Sequence, residues 1–387
     1  MNTDVSPQAQ LSQTQVDQIH QSAIVIDMHA DTIQRVLDQG ADLLAGTEGW
    51  QVDIPMMRRG GLKAQFFSIW PDPFEYWGEA AYERAKALIG ALDAQLEKHP
   101  DYLERALSAD DIKRIVKKNR IAALMGIEGG HAINDNLAAL EEFYQRGVRY
   151  MTLTHSRSTS WAGSSGDEEG RQKGLSDLGR DVVREMNRLG MIVDISHVSD
   201  KTFWEVMDTA TKPVIASHSA ARALSNHHRN MTDEMIQAVA KADGVICVVF
   251  YPIFLDETYA HSARAVLADL KSHFEESTAH LDKIAAAYAK DRLTFEALCD
   301  KVAPMPLARL ADHIDHIAKL VGTDHIGIGS DFDGISCVPQ GLENVAMLPA
   351  LTHELARRGY TQSDLEKILG GNILRVMDAQ NGGAGAR

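Results

Sequence analysis

Eight apolar runs of strand length, rich in β-branched residues, recur along the chain: Ala23–Asp27, Ala64–Ile69, Ile121–Ile127, Arg149–Thr154, Met191–Ser196, Pro213–Ser217, Gly244–Phe250 and His325–Ser330. Segments with helical spacing separate most of them. Leu137 to Arg146 places Leu137, Leu140, Phe143 and Tyr144 on one face and stops at Gly147, and Leu178 to Leu189 stops at Gly190. Lys201 to Thr209 follows Asp200, a good N-cap residue, and Met235 to Ala242 leads into Gly244. A closing helix over Leu365–Met377 follows Thr361-x-x-Asp364, which has capping-box spacing. Strands alternating with helices predict parallel β/α units, and eight of them predict an α/β fold, the (β/α)8 TIM barrel.

Two stretches interrupt the alternation. Ser156 to Asp177 is Ser/Gly-rich and follows the fourth strand, so it belongs on the catalytic face of a barrel, as a mobile lid or a pocket wall. Pro252 to Leu320 is a helical insertion between the seventh and eighth strands, a cap, a dimer contact or both. The 387 residues fit one barrel of about 250 residues with additions, so residues 1–387 are expected to form a single domain ending in a frayed tail, 381–387.

Metal-type side chains fall at the C-terminal ends of these runs. His29 and Asp31 close the first run and, two residues apart on a strand, point the same way. Their alternative reading is an Asp–His hydrogen bond that caps the strand. Glu128 closes the third run between glycines, where one carboxylate can bridge two cations about 3.5–4 Å apart. His197 and His218 end adjacent runs and offer a neutral-imidazole half-site for zinc. His155 ends the fourth run, placed to donate a hydrogen bond to a developing oxyanion, and Asp331 ends the eighth, placed to orient a water and take its proton. Arg229, beyond the sixth run, can hold a substrate carboxylate with both arms of its guanidinium. Asp333 is assigned to the turn with Gly334, His131 to a structural role, His227 and His228 to a loop, and His313 with His316 to a partly exposed helix.

Composition removes several classes of function. A formal charge of −15 without a basic stripe excludes nucleic acid as a partner. No apolar run approaches the ~20 residues that span a bilayer. Residues Met1 to Gln21 are polar and Gln-rich, without the charged and apolar regions of a signal peptide. Three distant cysteines, Cys247, Cys299 and Cys337, give neither a disulfide framework nor a CxxC metal site. A cytoplasmic protein is expected, or a periplasmic one if a signal peptide has been trimmed.

The ordered motifs Asp27-Met-His-Ala-Asp31, Gly126-Ile-Glu-Gly-Gly-His131, Tyr150-Met-Thr-Leu-Thr-His-Ser156, Asp194-Ile-Ser-His197, Ser217-His-Ser219, Arg229-Asn230 and Ser330-Asp-Phe-Asp-Gly334 together resemble the renal (membrane) dipeptidase family of the amidohydrolase superfamily. The resemblance covers residues 24 to 378. It implies a zinc-dependent dipeptidase in which His29 and Asp31 bind one Zn²⁺, His197 and His218 the other, and Glu128 bridges; Mn²⁺ or Co²⁺ can occupy such a site. It also implies a metal-bound hydroxide as nucleophile, Asp331 as catalytic acid/base, His155 and Arg229 as substrate contacts, tolerance of a D-residue at the C-terminal position, and a homodimer. The family's substrate-contacting tyrosine after the seventh strand is matched in type by Tyr251, whereas the register favours Phe254. Hydrolysis of another amide, a β-lactam or a lactone on the same metal scaffold is the alternative, and a non-catalytic ligand-binding barrel is a more distant one.

Overall fold

The computed structural model describes residues 11–46, 49–278 and 281–381. Nine parallel strands, β1 (Val25–Ala30), β2 (Leu62–Ile69), β3 (Leu103–Arg105), β4 (Ile121–Glu128), β5 (Val148–Thr152), β6 (Ile192–Asp194), β7 (Ile215–Ser219), β8 (Val245–Val248) and β9 (Ile326–Ile328), form one sheet. The order β2-β1-β9-β8-β7-β6-β5-β4 is closed by pairing of β2 with β4, so eight of the strands make a barrel. The (β/α)8 architecture read from the sequence is therefore the observed one.

β3 was not predicted. It pairs only with the first residues of β4, Leu103 opposite Ile121, below the point where β5 joins that edge at Met125. A three-residue strand with one partner buries only Leu103 and leaves no apolar run to detect. β6 and β9 are shorter than their apolar runs for a specific reason. The backbone N–H groups of Ser196 and Ser217 donate to the Asp194 carboxylate at 3.1 and 2.8 Å, and that of Ser330 donates to Asp27 at 2.8 Å. Buried side-chain carboxylates thus replace strand partners, the ladder ends early, and the following residues turn towards the barrel axis.

The barrel interior is packed by Ile26, Met28, Phe66, Leu124, Tyr150 and Cys247, all buried. Helices Ala109–Lys117 and Asn372–Asn381 pack beneath the same cluster and close the bottom, so the interior opens only at the C-terminal ends of the strands. The predicted closing helix is split. Gln362–Glu366 starts at the expected Thr361/Asp364 capping box, a wide turn follows over Lys367–Gly371, and Asn372–Asn381 resumes beyond the glycine pair. At the helix Asp200–Thr209 the N-cap is Ser199, whose hydroxyl accepts from Thr202 N, and Asp200 is the first helical residue rather than the cap.

The predicted insertion resolves into two parts. Pro252–Leu255, Glu257–Thr278 and Lys283–Lys301 leave the barrel and return over its mouth. Leu307–Val321 instead packs on the outside against helix Asp233–Lys241, β8 and β9, as a crossover helix does. The Ser156–Asp177 segment is a wall: Trp161 is buried, and Ser165 N donates to His197 O at 2.8 Å. A helix, Gln13–Ser22, precedes β1 behind a Ser12/Gln15 capping box. Residues 1–10 of the polar N-terminal stretch, and the expected tail from 382 onward, lie outside the described residues. Among the described residues no helix is long and apolar enough to cross a membrane, and the three cysteines are unpaired.

Candidate active site

The C-terminal ends of β1, β4, β6, β7 and β9 converge on a buried cluster. His29 lies in β1 and Asp31 just beyond it, Glu128 is the last residue of β4, His218 lies in β7, and His197 and Asp331 follow β6 and β9. Glu128 is the centre. Its Oε2 is 3.4 Å from His29 Nε2, while its Oε1 is 2.9 Å from His197 Nε2 and 3.3 Å from His218 Nε2. His29 Nε2 is in turn 3.5 Å from Asp31 Oδ2 and 3.9 Å from Asp331 Oδ1. One carboxylate therefore faces a carboxylate-rich half with one oxygen and an imidazole-rich half with the other.

The ligand atoms of His29, Asp31 and Glu128 lie within 4.8 Å of one another, as do those of Glu128, His155 and His197 and those of His29, His218 and Asp331. The buried His29 Nε2 and Asp31 Oδ1 have no hydrogen-bond partner. A buried polar atom without a partner is costly, and an imidazole nitrogen and a carboxylate oxygen left so in one cluster are a donor set that fits a divalent cation.

Hydrogen bonding fixes which ring nitrogen faces the centre. The Tyr150 hydroxyl donates its single proton to Met28 O at 3.0 Å, so its oxygen accepts from His29 Nδ1 at 2.8 Å. The Ser217 hydroxyl donates to Asp194 at 2.6 Å and therefore accepts from His218 Nδ1 at 2.9 Å. Each ring thus turns Nε2 to the cluster, as metal ligation requires. His218 presents a lone pair there, while at His29, against the effect of burial, Tyr150 and Glu128 favour a proton on Nε2 that a cation would displace. Tyr150 can reach His29 because its register partner on β4 is Gly126, where a side chain would stand 1.9 Å from the phenol ring. Gly334 serves the rim in the same way, since a Cβ there would lie 2.2 Å from Asp31 Oδ2. His197 (φ 70°) and Asp331 (φ 65°) both hold the left-handed backbone conformation that non-glycine residues rarely adopt, as functional residues often do.

Electrostatics separates the two halves. Burial pushes His197 and His218 well below the usual imidazole range, reinforced at His197 by Arg229 and at His218 by His29, so both are neutral. Burial drives Asp331 well above the usual carboxylate range, with Asp31 and Glu128 adding to it against the relief from His29. Burial also opposes ionisation of Glu128, but His29 and His155 outweigh it and hold that carboxyl well below its usual range. Three crowded buried carboxyl groups make a site that gains from positive charge.

Above the cluster opens a cavity of about 690 Å³ whose lining includes Glu128, His155, Arg229, Tyr251, Phe254 and Asp331. His29 and His218 lie beneath its floor, fully or almost fully buried. His155 Nε2 is 3.7 Å from Glu128 Oε1, and burial lowers its pKa to about 4. Arg229 is buried, donates from Nη2 to His218 O at 3.2 Å and keeps Nε without a partner. Tyr251 and Phe254 both line the cavity. Tyr251 has its hydroxyl 3.3 Å from Ser336 Oγ, and the Phe254 ring lies 5.5 Å from the Arg229 guanidinium. Every residue singled out in the sequence for metal, substrate or proton handling thus reaches one centre or the cavity above it.

The residues set aside also find places. Asp333 is held by Thr32 Oγ1 at 2.6 Å and Gln51 N at 3.0 Å, a structural turn as expected. His131 bonds Pro71 O at 2.8 Å and stacks on Trp77. His313 differs from expectation. It is fully buried, accepting from Ala221 N at 3.1 Å and bonding Leu255 O at 2.9 Å, so it ties the loop after β7 to the base of the cap. His316 pairs with Asp233 at 2.7 Å, and no metal pair forms. His227 and His228 are more than loop residues, since both line the cavity. The sequence reading assigned no role to Tyr150, Ser217, Asp194 and Asp27. The signal available was the repeated Asp preceding a strand-tip His, in Asp27-x-His29 and Asp194-x-x-His197.

A family model described as membrane dipeptidase, peptidase family M19, matches residues 13–384. The chain belongs to this family. It is a metal-dependent hydrolase of the dipeptidase type. The chain is 35% identical over 334 residues to the dipeptidase aclJ of Aspergillus oryzae, covering 84% of this chain and 69% of that one. It is 32% identical to the dipeptidase tcpJ of Claviceps purpurea, covering 84% and 68%. Among solved structures, the probable dipeptidase PvdM of Pseudomonas aeruginosa superposes with TM-score 0.79 at 26% identity, covering 96% of this chain and 98% of that one. A metallopeptidase of Rhodobacter sphaeroides, bound to a phosphinate mimic of the dipeptide L-Ala-D-Ala, superposes with TM-score 0.76 at 25% identity, covering 93% and 100%.

Proposed function

We propose that this chain hydrolyses the peptide bond of free dipeptides, including those with a C-terminal D-residue, with two divalent cations, zinc in the first instance. The observation that carries the reading is the split of Glu128, one oxygen towards His29 and Asp31, the other towards His197 and His218. His29, Asp31 and Glu128 would hold one ion, and His197, His218 and Glu128 the other. Such a pair supplies Lewis acidity and an activated water as nucleophile.

The chain's own groups divide the remaining work. Asp331 takes the proton of the attacking water and passes it to the departing amine, so the carboxylate is restored as the C–N bond breaks. His155 donates from Nε2 to the oxygen that gains charge as the carbonyl becomes tetrahedral. Arg229, buried with its Nε free, binds the C-terminal carboxylate of the substrate. The metal-bearing floor, through the uncharged N-terminal amine, and Arg229 at the wall, through the carboxylate, would hold both ends of a dipeptide, and a third residue would collide with the wall. The Rhodobacter relative's complex with an L-Ala-D-Ala mimic supports the stereochemical part of the reading.

The test is hydrolysis of a dipeptide library, with L- and D-residues at the C-terminal position, by zinc-loaded and chelator-stripped protein, alongside metal analysis. Metal-dependent cleavage of free but not N-blocked dipeptides, with two metal ions per chain, is the expected outcome. Silence across the library from protein that holds two ions would refute the substrate class while leaving the metal centre intact.

A further inference from the structure

A second depression, about 630 Å³ in volume, lies beside the catalytic cavity, and His227 and His228 line both. Its lining is cationic. Arg171 comes from the loop after β5, Lys201 from the helix after β6, Arg222 from the loop after β7 and Arg264 from the cap. The one acid in the lining, Asp200, is engaged by both arms of Arg222 at 2.7 and 2.8 Å. Lys201 and Arg264 meet no acid among the described residues, and Arg171 donates only from Nε, to Ser165 O at 2.8 Å. Three unmatched positive charges, on Arg171, Lys201 and Arg264, thus share one concavity of a chain whose formal net charge is −15.

Four segments from different parts of the sequence converge to make this patch, so it is not the solvated face of one helix. Like charges gathered around a concave surface raise the local potential, and an anion entering it gains from each of them. The shared wall registers that potential. Burial, and after it the neighbouring His228 and arginines, lowers His227 to about 3, and burial with Arg229, Arg171 and Arg222 lowers His228 to about 4. Both imidazoles are therefore neutral at neutral pH and serve as hydrogen-bonding groups. His228 Nδ1 already lies 3.0 Å from Ser165 Oγ.

We propose that this depression is an anion-binding site for a carboxylate or phosphate group, set against the catalytic cavity. Two sources carry that chemistry. One, which rests on the dipeptide reading, is the acidic side chain of a substrate that reaches past the His227–His228 wall. The other is a free anion. Either would act close to the centre, because Arg171 bonds Ser165 O and Ser165 N donates to His197 O at 2.8 Å.

The experiment compares the metal-loaded wild-type protein with Lys201→Ser/Arg264→Ser, neither residue lining the catalytic cavity. Inorganic phosphate is titrated by calorimetry, and kcat/KM is measured for Ala-Glu, Ala-Gln and Ala-Ala. The expected result is a phosphate affinity at least tenfold weaker in the variant, with Ala-Ala turnover unchanged. A parallel tenfold fall in the Ala-Glu to Ala-Gln ratio assigns the site to the substrate side chain; an unchanged ratio with lost phosphate binding assigns it to a free anion. Equal phosphate affinity and an equal ratio in the two proteins overturn the proposal. The exposed Lys201→Ser alone repeats the comparison if the double variant does not fold. If wild type cleaves none of the three dipeptides, the dipeptidase reading fails on its own and the phosphate titration still decides the anion site.

Discussion

At the barrel mouth, His29 and His218 are 0% and 1% exposed, and each imidazole is fixed by a hydroxyl that is itself held by a buried acceptor. Across the cavity, the cap helix Lys283–Lys301 meets the barrel through a handful of polar contacts. Tyr288 donates to Asp38 at 3.1 Å, its ring lies under Arg35, and Lys283 pairs with Glu75. Ile284 and Phe295 on the same helix stay 44% and 39% exposed. The mouth is over-determined by packing and hydrogen bonds, whereas the cap rests on few contacts and low apolar burial. Under the proposed function, chemistry that depends on sub-ångström placement would sit on the first, and contacts that select a substrate would extend onto the second. Changes at the mouth should alter turnover or metal content, and changes in the cap should alter KM.

The largest effect is expected at Asp331. Asp331→Asn keeps the shape of the side chain but cannot accept a proton, so kcat should fall on the order of 10²–10⁴-fold. Metal analysis should show no loss, because the cations are assigned to five other residues. A variant that kept most of its turnover would remove Asp331 from proton transfer. A variant that lost metal would make it a ligand instead, as its 3.9 Å approach to His29 Nε2 allows.

A smaller effect is expected one contact further out. Tyr150→Phe removes the hydroxyl that accepts from His29 Nδ1 and leaves the ring in place over Gly126. Ser217→Ala removes the corresponding group behind His218. Loss of such an orienting partner typically costs about 10–100-fold in metal affinity. Titration in metal buffers should show each variant weakening one of two binding steps. If both variants weaken the same step, the division of the cluster into two half-sites fails.

This contrast between mouth and cap also explains what could be read from the chain. His29, Asp31, Glu128, His197, His218 and Asp331 were legible because a (β/α)8 barrel turns position along the sequence into position in space. A residue at the end of a strand run lands at the mouth whatever the helices do. Tyr150 was not legible, because it lies in the middle of a strand and looks like core. Its role depends on a glycine across the ladder and on the ring it faces. Asp194 and Asp27 were visible as residues but not as the acceptors that shorten β6 and β9. The cap was legible as helix and illegible as cover, since its placement depends on contacts such as Tyr288 to Asp38, 250 residues apart.

Arg229 tests the border between the two regions. Arg229→Lys keeps the charge but not the fork that binds a carboxylate through two parallel hydrogen bonds. One lost charge-assisted hydrogen bond is worth about 1.5–3 kcal/mol, so kcat/KM should fall on the order of tenfold or more, mainly through KM. Arg229 also donates to His218 O. A fall carried by kcat with metal loss would place its main duty in the mouth rather than in substrate binding.

The smallest effect is expected in the cap. Tyr288→Phe removes the hydrogen bond to Asp38 and leaves the ring under Arg35. A half-buried hydrogen bond contributes about 0.5–1.5 kcal/mol, so KM for a dipeptide should rise by no more than about tenfold. Because Asp38 is also held by Arg84 at 2.6 Å, its carboxylate keeps a partner and the barrel side of the contact should not move. Asp38→Asn and the double variant complete a cycle. If the cap acts through this contact, the double variant should resemble the worse single variant, since the same hydrogen bond is lost only once. Equal falls in kcat and kcat/KM would instead mean that closure of the cap completes the catalytic arrangement, and the separation of rigid mouth from selective cover would then give way to a single coupled unit.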